Sequence, residues 1–193
     1  MPSQLSRPPQ AALRVTDLWV ALKFYSQRLG FKAETAQESK ARVTGPVGTP
    51  LLLCGPGYTA PGVHHPAPGA WIYLFRPDLA GLSEELSARG LEAGAPVEPY
   101  PGFRHLLVED PDGYVLVFWE PVPLTDEEIL AIYRTGPERL QAALAGIDEA
   151  GLALRRAPGK WTVRETVHHL VDSDLATFHT LRLALALPGR QIQ

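Results

Sequence analysis

The sequence predicts an α+β fold, two βαβββ modules followed by a helical segment, and three observations predict it. Residues up to Cys54 read as one strand, one helix and three strands; the same order recurs sixty residues later; and after Pro121-Val122-Pro123 the apolar period becomes helical. The modules are assigned to a first domain, residues 1–122, and the helices to a second, residues 123–193.

In the first module Ala11–Thr16 is a strand candidate. Leu18, Ala21, Leu22, Tyr25 and Leu29 then form one helical stripe, with Asp17 placed as N-cap and Gly30 just past the end. Strand candidates follow at Phe31–Thr35, Ala41–Thr44 and Leu51–Cys54, separated by polar or Gly/Pro breaks. The second module opens with Trp71–Phe75 and a helix carrying Leu79, Leu82 and Leu86. Gly90 and three more strands follow, the last two being Phe103–Glu109 and Tyr114–Trp119. Gly30-Phe31-Lys32-Ala33 matches Gly90-Leu91-Glu92-Ala93, and Leu22 matches Leu82, at one offset, as a duplicated module would. Asp110-Pro111-Asp112-Gly113 has the residue order of a type I turn and reads as the link of a hairpin.

Composition narrows the function. The chain has 193 residues, 45 % hydrophobic and 20 % charged, which is enough to bury a core without staples. Its single cysteine, Cys54, excludes an internal disulfide, a thiolate zinc cluster and dithiol redox chemistry, and suits a reducing compartment. Net charge is −3 and no basic run exceeds Arg155-Arg156, so nucleic acid is not an expected partner. No signal-like leader and no run of 18 uncharged apolar residues is present, and the expectation is a cytoplasmic protein without a membrane partner. The Gly/Pro-rich stretch Gly55–Gly69 lacks the Gly-Lys-Ser/Thr of a phosphate loop, and its His64-His65 pair reads as solvated. No Ser/His/Asp or Cys/His arrangement offers a nucleophile, so no catalytic residue is assigned.

Leu13-Arg14-Val15-Thr16-Asp17, Phe24-Tyr25 and Leu29-Gly30-Phe31 at the front, with Phe103-Arg104-His105, Asp110-Pro111-Asp112-Gly113-Tyr114 and Val117-Phe118-Trp119-Glu120 at the close, resemble the glyoxalase/bleomycin-resistance/dioxygenase superfamily, also called vicinal oxygen chelate, over about Gln10 to Pro121. The resemblance implies curled sheets forming a ligand cleft. In enzymatic members it implies a divalent metal held by His, Gln or Glu from the first and last strands of both modules. Those positions fall on Gln10, Leu53, Trp71 and Val117, and only Gln10 can donate a lone pair. No metal or cofactor is therefore expected, Gln10 remaining a weak candidate. The same positions turn the face of Trp71, Tyr73 and Phe75 toward the cleft, joined by Val117 and Trp119, with Arg14 on the Gln10 face of the first strand and Arg104 available to an anion. Such a cleft suits a flat, largely apolar molecule. The alternative is that the aromatics fill the core.

Beyond Pro123, Thr125–Glu128 is a capping box opening a helix with Ile129, Ile132 and Tyr133, which Gly136-Pro137 should interrupt before a second helix with Leu140, Leu144 and Ile147. Thr162–Glu165 opens a long helix through Val167, Leu170, Leu175, Phe178 and Leu181, ending near Pro188-Gly189. Trp161-Thr162-Val163-Arg164-Glu165 and His168-His169-Leu170 resemble the DinB-like, YfiT-like four-helix bundles, a family described as metal-dependent hydrolases. That resemblance implies a metal ligand at His169 and a His-x-x-x-His pair on a later helix, which neither His168 nor His179 reproduces. His169 is a lone, weak candidate, the bundle reads as half length, and a homodimer completing it is expected. The function expected is non-metal binding of a small planar apolar molecule. A metal-dependent lyase or dioxygenase, and a scaffold acting through the helices, are the alternatives.

Overall fold

The protein is described by a computed structural model covering residues 9–156 and 159–187. It divides into two compact units, one ending at Thr125 and the other beginning at Asp126.

In the first unit, β1 (Ala11–Arg14), α1 (Leu18–Lys23), β2 (Lys32–Ala36), β3 (Lys40–Thr44) and β4 (Pro50–Cys54) make one module, with sheet order β1-β4-β3-β2. The second module, β5 (Trp71–Phe75), α2 (Leu79–Ala88), β6 (Val97–Tyr100), β7 (Phe103–Glu109) and β8 (Val115–Pro121), has the matching order β5-β8-β7-β6. In each, the first strand lies parallel to the last and the other neighbours are antiparallel. The helix crossing between parallel strands is what a βαβββ unit requires.

Asp17 caps α1 as its position predicts, its carboxylate accepting from the Trp19 and Val20 N–H groups at 2.9 and 3.0 Å. The stripe continues through one wide turn, Phe24–Arg28, where the Leu29 N–H reaches back five residues to the Phe24 carbonyl. Leu18, Ala21, Tyr25 and Leu29 are all buried.

The helix-bearing faces of both sheets contribute to one continuous core, not two. Leu13, Val43, Leu51 and Leu53 from the first sheet join Leu74, Leu106, Leu116 and Phe118 from the second. Phe31 and Phe118 meet edge to face across the modules, centroids 6.3 Å apart. The duplication is legible at the helix ends: the Arg28 guanidinium donates to the Arg89 and Gly90 carbonyls, and Arg89 donates back to the Leu29 carbonyl at 3.4 Å. Gly30 and Gly90 both sit at φ 74°, a conformation that favours glycine, and a Cβ on either would displace the other module's arginine head group, approaching it at 2.6 and 2.5 Å.

One strained position carries a stability prediction. Val47, in the turn between β3 and β4, has φ 49°, a left-handed conformation costly for a β-branched residue, and its side chain is exposed. Val47→Asn should stabilise the unit by about 1 kcal/mol in urea melts, since asparagine tolerates that backbone.

In the second unit, α3 (Asp126–Leu144), α4 (Glu149–Leu152) and α5 (Val163–Ala186) contain no buried residue. The expected break at Gly136-Pro137 does not occur, for α3 runs through it. Proline removes one N–H from the ladder, but its clash with the preceding Cβ vanishes when that residue is glycine. The capping box of α5 forms as predicted, the Thr162 hydroxyl accepting from the Glu165 N–H at 3.0 Å and the Glu165 carboxylate accepting from the Thr162 N–H at 2.7 Å. These bonds hold the Glu165 carboxyl below the usual carboxylate range. Pro188-Gly189, the predicted end, lies outside the described residues. No helix among the described residues is long and apolar enough to cross a membrane.

Candidate functional site

The candidate site is the face of the β5-β8-β7-β6 sheet opposite the core. Alternation along β5 sends Ile72 and Leu74 inward and leaves Trp71, Tyr73 and Phe75 on the outer face, 44 %, 47 % and 37 % exposed. Parallel register places Val117 beside Tyr73 and Trp119 beside Phe75. Phe75 meets Trp119 at 5.3 Å, Trp119 lies parallel to Phe103 at 5.9 Å, Phe103 stacks on Tyr100 at 5.0 Å, and Trp71 leans on Tyr73 at 6.4 Å. The result is an aromatic wall made of two ring groups, Trp71 with Tyr73 and Phe75 with Trp119, Phe103 and Tyr100, while Val117, predicted to meet the ligand, is fully buried beneath the side chains around it and presents no surface. The aromatics do not fill the core, which is built from the other face.

Three predicted residues are placed elsewhere, one of them Arg14, which lies on the outer face of the first sheet beside Cys54 and Tyr58 and does not join the aromatic face. Arg104 alternates with Phe103 and His105, so it lies on the opposite side of β7, where its guanidinium pairs with Glu120 at 3.4 Å and Glu98 at 3.7 Å. It does not join the wall. Leu53 is likewise corrected: it pairs in register with Leu13, both fully buried in the core, so the outer face of β4 is presented by Leu52 and Cys54 instead. Phe103 and Tyr100, by contrast, belong to the wall and were not selected from the sequence. The period-two run Phe103, His105, Leu107, facing Trp119 and Val117 across the hairpin, is the signal that identifies Phe103.

The outer face of the first sheet is different because the linker covers it. Ala60 is buried against Ala12 and Cys54, with Tyr58 and Val63 packed around them, and the His64 carbonyl accepts from the Ala12 N–H at 2.9 Å. Under this roof Arg14, Cys54, Tyr58 and the Gly55-Pro56-Gly57 backbone line a cavity of about 250 Å³, too small for a drug-sized molecule. Burial pushes the Cys54 thiol above its ordinary value, with a backbone hydrogen bond from Ala60 and then the Arg14 and Lys40 charges opposing. His65 bonds the Ala60 carbonyl through Nε2 at 2.9 Å, so this histidine is part of the roof and not solvated.

The positions tested for a metal do not fit one. Trp71 and Val117 lie on the outer face without a donor atom, which leaves the Gln10 amide, its Nε2 donating to the Tyr73 carbonyl at 3.2 Å, as a lone oxygen donor, too few for a metal. In the helical unit His169 meets the edge of Trp161 at 4.6 Å. Among the described residues no group of three or more His, Cys, Asp or Glu converges as a metal site would require.

Residues 7–118 match the model of the Glyoxalase/Bleomycin resistance protein/Dioxygenase superfamily, and the chain belongs to that superfamily. Residues 132–193 match the DinB superfamily model. Over 73 residues the chain is 34 % identical to a protein of Geobacillus thermodenitrificans named "Putative metal-dependent hydrolase", a match covering 36 % of this chain and 41 % of that protein, so less than half of the relative's length is spanned. Among solved structures, a glyoxalase/bleomycin resistance protein from Catenulispora acidiphila is 31 % identical, with TM-score 0.44, covering 58 % of this chain and 96 % of its own. A lactoylglutathione lyase from Agrobacterium tumefaciens is 18 % identical, with TM-score 0.48, covering 60 % and 93 %.

Proposed function

We propose that the first unit binds a small, flat, largely apolar molecule against the outer face of the second sheet. The observation that carries this reading is the bare aromatic wall: Trp71, Tyr73 and Phe75 keep more than a third of their surface in water while every comparable residue of the other face is buried. Isolated exposed apolar side chains are ordinary, but ring surface gathered on one face of a rigid sheet is a binding surface in waiting. Its rings are already set by mutual edge and stacking contacts, so little side-chain freedom is lost when a ligand stacks. The reading needs no metal, in keeping with the side chains at the tested positions.

Titration with naphthalene and quinoline, read by tryptophan fluorescence, tests it. Both should bind the full chain, and Trp71→Ala should weaken them about tenfold, the loss of one stacking partner. Binding untouched by Trp71→Ala and Tyr73→Ala, or absent altogether, overturns the proposal.

A further inference from the structure

We infer that the roofed cavity on the first sheet is a binding site for a compact oxygen dianion, a phosphate group, clasped between Arg14 and Lys40. Strand register builds it. Cys54 of β4 lies level with Arg14 of β1 on one side and with Lys40 of β3 on the other, so the three side chains form one row across the outer face: cation, thiol, cation. Tyr58 of the linker closes the row from above. It lines the cavity with Arg14 and Cys54, and its hydroxyl accepts from the Lys40 ammonium at 3.2 Å, Nζ lying 4.9 Å from the ring centre. Lys40 is thereby held at the cavity's edge.

Charge identifies the ligand. No acidic residue lines the cavity. Among the described residues neither Arg14 nor Lys40 forms an ion pair. Carboxylates of neighbouring elements are engaged elsewhere: Asp17 caps α1, Glu34 pairs with Arg42, and Asp112 accepts from the Thr16 N–H at 2.6 Å. The group between the two cations adds no charge, because burial keeps the Cys54 thiol protonated at neutral pH. Two positive charges therefore face one space without compensation, and a dianion balances them. The planar fork of Arg14 offers parallel donors to an oxyanion and Lys40 adds a point charge. The Tyr58 hydroxyl, accepting from Lys40, keeps its own proton to donate. A volume of about 250 Å³ accommodates a phosphate group and a short ester on it. The site lies on a different sheet from the aromatic wall and stands whether or not that wall binds a ligand.

Titration of the full chain with inorganic phosphate at constant ionic strength, followed by backbone amide NMR, tests the inference. The shifts should saturate and centre on Arg14, Gly55, Gly57 and Tyr58. Arg14→Gln should weaken binding about tenfold and Lys40→Gln about fivefold, each losing one charge-assisted contact. Lys32→Gln removes one charge at the opposite end of β3 from Lys40 and should leave binding unchanged. Acetate, with a single charge, should bind about tenfold more weakly than phosphate. Methyl phosphate distinguishes the source: tighter binding than phosphate assigns an ester head group, and weaker binding the free ion. Arg14 and Lys40 project from the outer face, so circular dichroism of both variants should remain that of the parent. The inference is overturned by any of four results: no saturable shift, shifts centred elsewhere, losses no larger for Arg14→Gln and Lys40→Gln than for Lys32→Gln, or acetate binding as tightly as phosphate.

Discussion

Replacing Asp110 with alanine is expected to cost the first unit about 3 kcal/mol, enough to lower its melting temperature by roughly 12 °C. Asp110 is only 4 % exposed, yet it lies in the turn between β7 and β8, where solvation is the norm. Its Oδ2 accepts from the Tyr25 hydroxyl at 2.8 Å, and its Oδ1 accepts from the Tyr114 and Asp112 N–H groups at 2.8 and 3.0 Å. Alanine leaves all three donors without an acceptor, and the Tyr25 hydroxyl is fully buried. Tyr114 extends the link, its own hydroxyl accepting from the Arg14 N–H at 3.1 Å. One carboxylate therefore ties the second module's hairpin to the first module's helix and, through Tyr114, toward β1.

The same group gives the unit a pH dependence of definite sign. Burial pushes the Asp110 carboxyl above its ordinary value, more than the bonds from Tyr25, Tyr114 and Asp112 pull it down. Burial likewise pushes the Tyr25 phenol well above its ordinary value, with the Asp110 charge adding to it. A carboxyl raised in the folded state contributes stability that is fully present below its unfolded value, near 4, and is lost as pH rises through the folded value. Urea melts between about pH 3 and pH 7 should show wild type losing ground against Asp110→Asn as pH rises, since the amide never ionises. A difference that is flat or reversed contradicts this assignment.

The fold was legible because its signals are local and repeated. Apolar period, caps and turn residues stand within a few positions of one another, and the offset between Gly30 and Gly90 adds a second copy of the same information. Asp110 shows where this stops: the turn motif is visible, but the burial of its carboxylate depends on Tyr25, 85 residues away. Leu53 shows a different limit. The loop before β4 leaves its register open by one residue, and one residue moves a side chain from one face to the other. Arg104 required no structure to exclude, since alternation from Phe103 already turns it away from Trp119. The linker roof, by contrast, has no period to read, and its contacts with Ala12 and Cys54 are long-range.

Phe118→Ala is expected to carry the largest stability loss, about 3–5 kcal/mol, and to act on both modules together. Phe118 is fully buried, lies on the inner face of β8 and meets Phe31 of the first module edge to face. Because the two sheets share one core, removing its ring opens a cavity lined by both, and neither module retains an intact core on its own. Tryptophans mark the parts separately: Trp19 reports the first module, Trp71 and Trp119 the second, and Trp161 the helical unit. In single-tryptophan backgrounds Phe118→Ala should shift the transitions seen by Trp19 and Trp119 by the same amount, as a single cooperative unit demands. The Trp161 transition should stay where it was, since no buried residue of α3, α4 or α5 belongs to that core. If Trp19 and Trp119 instead separate in the variant, the modules are independent folding units and the shared core is a contact without cooperativity.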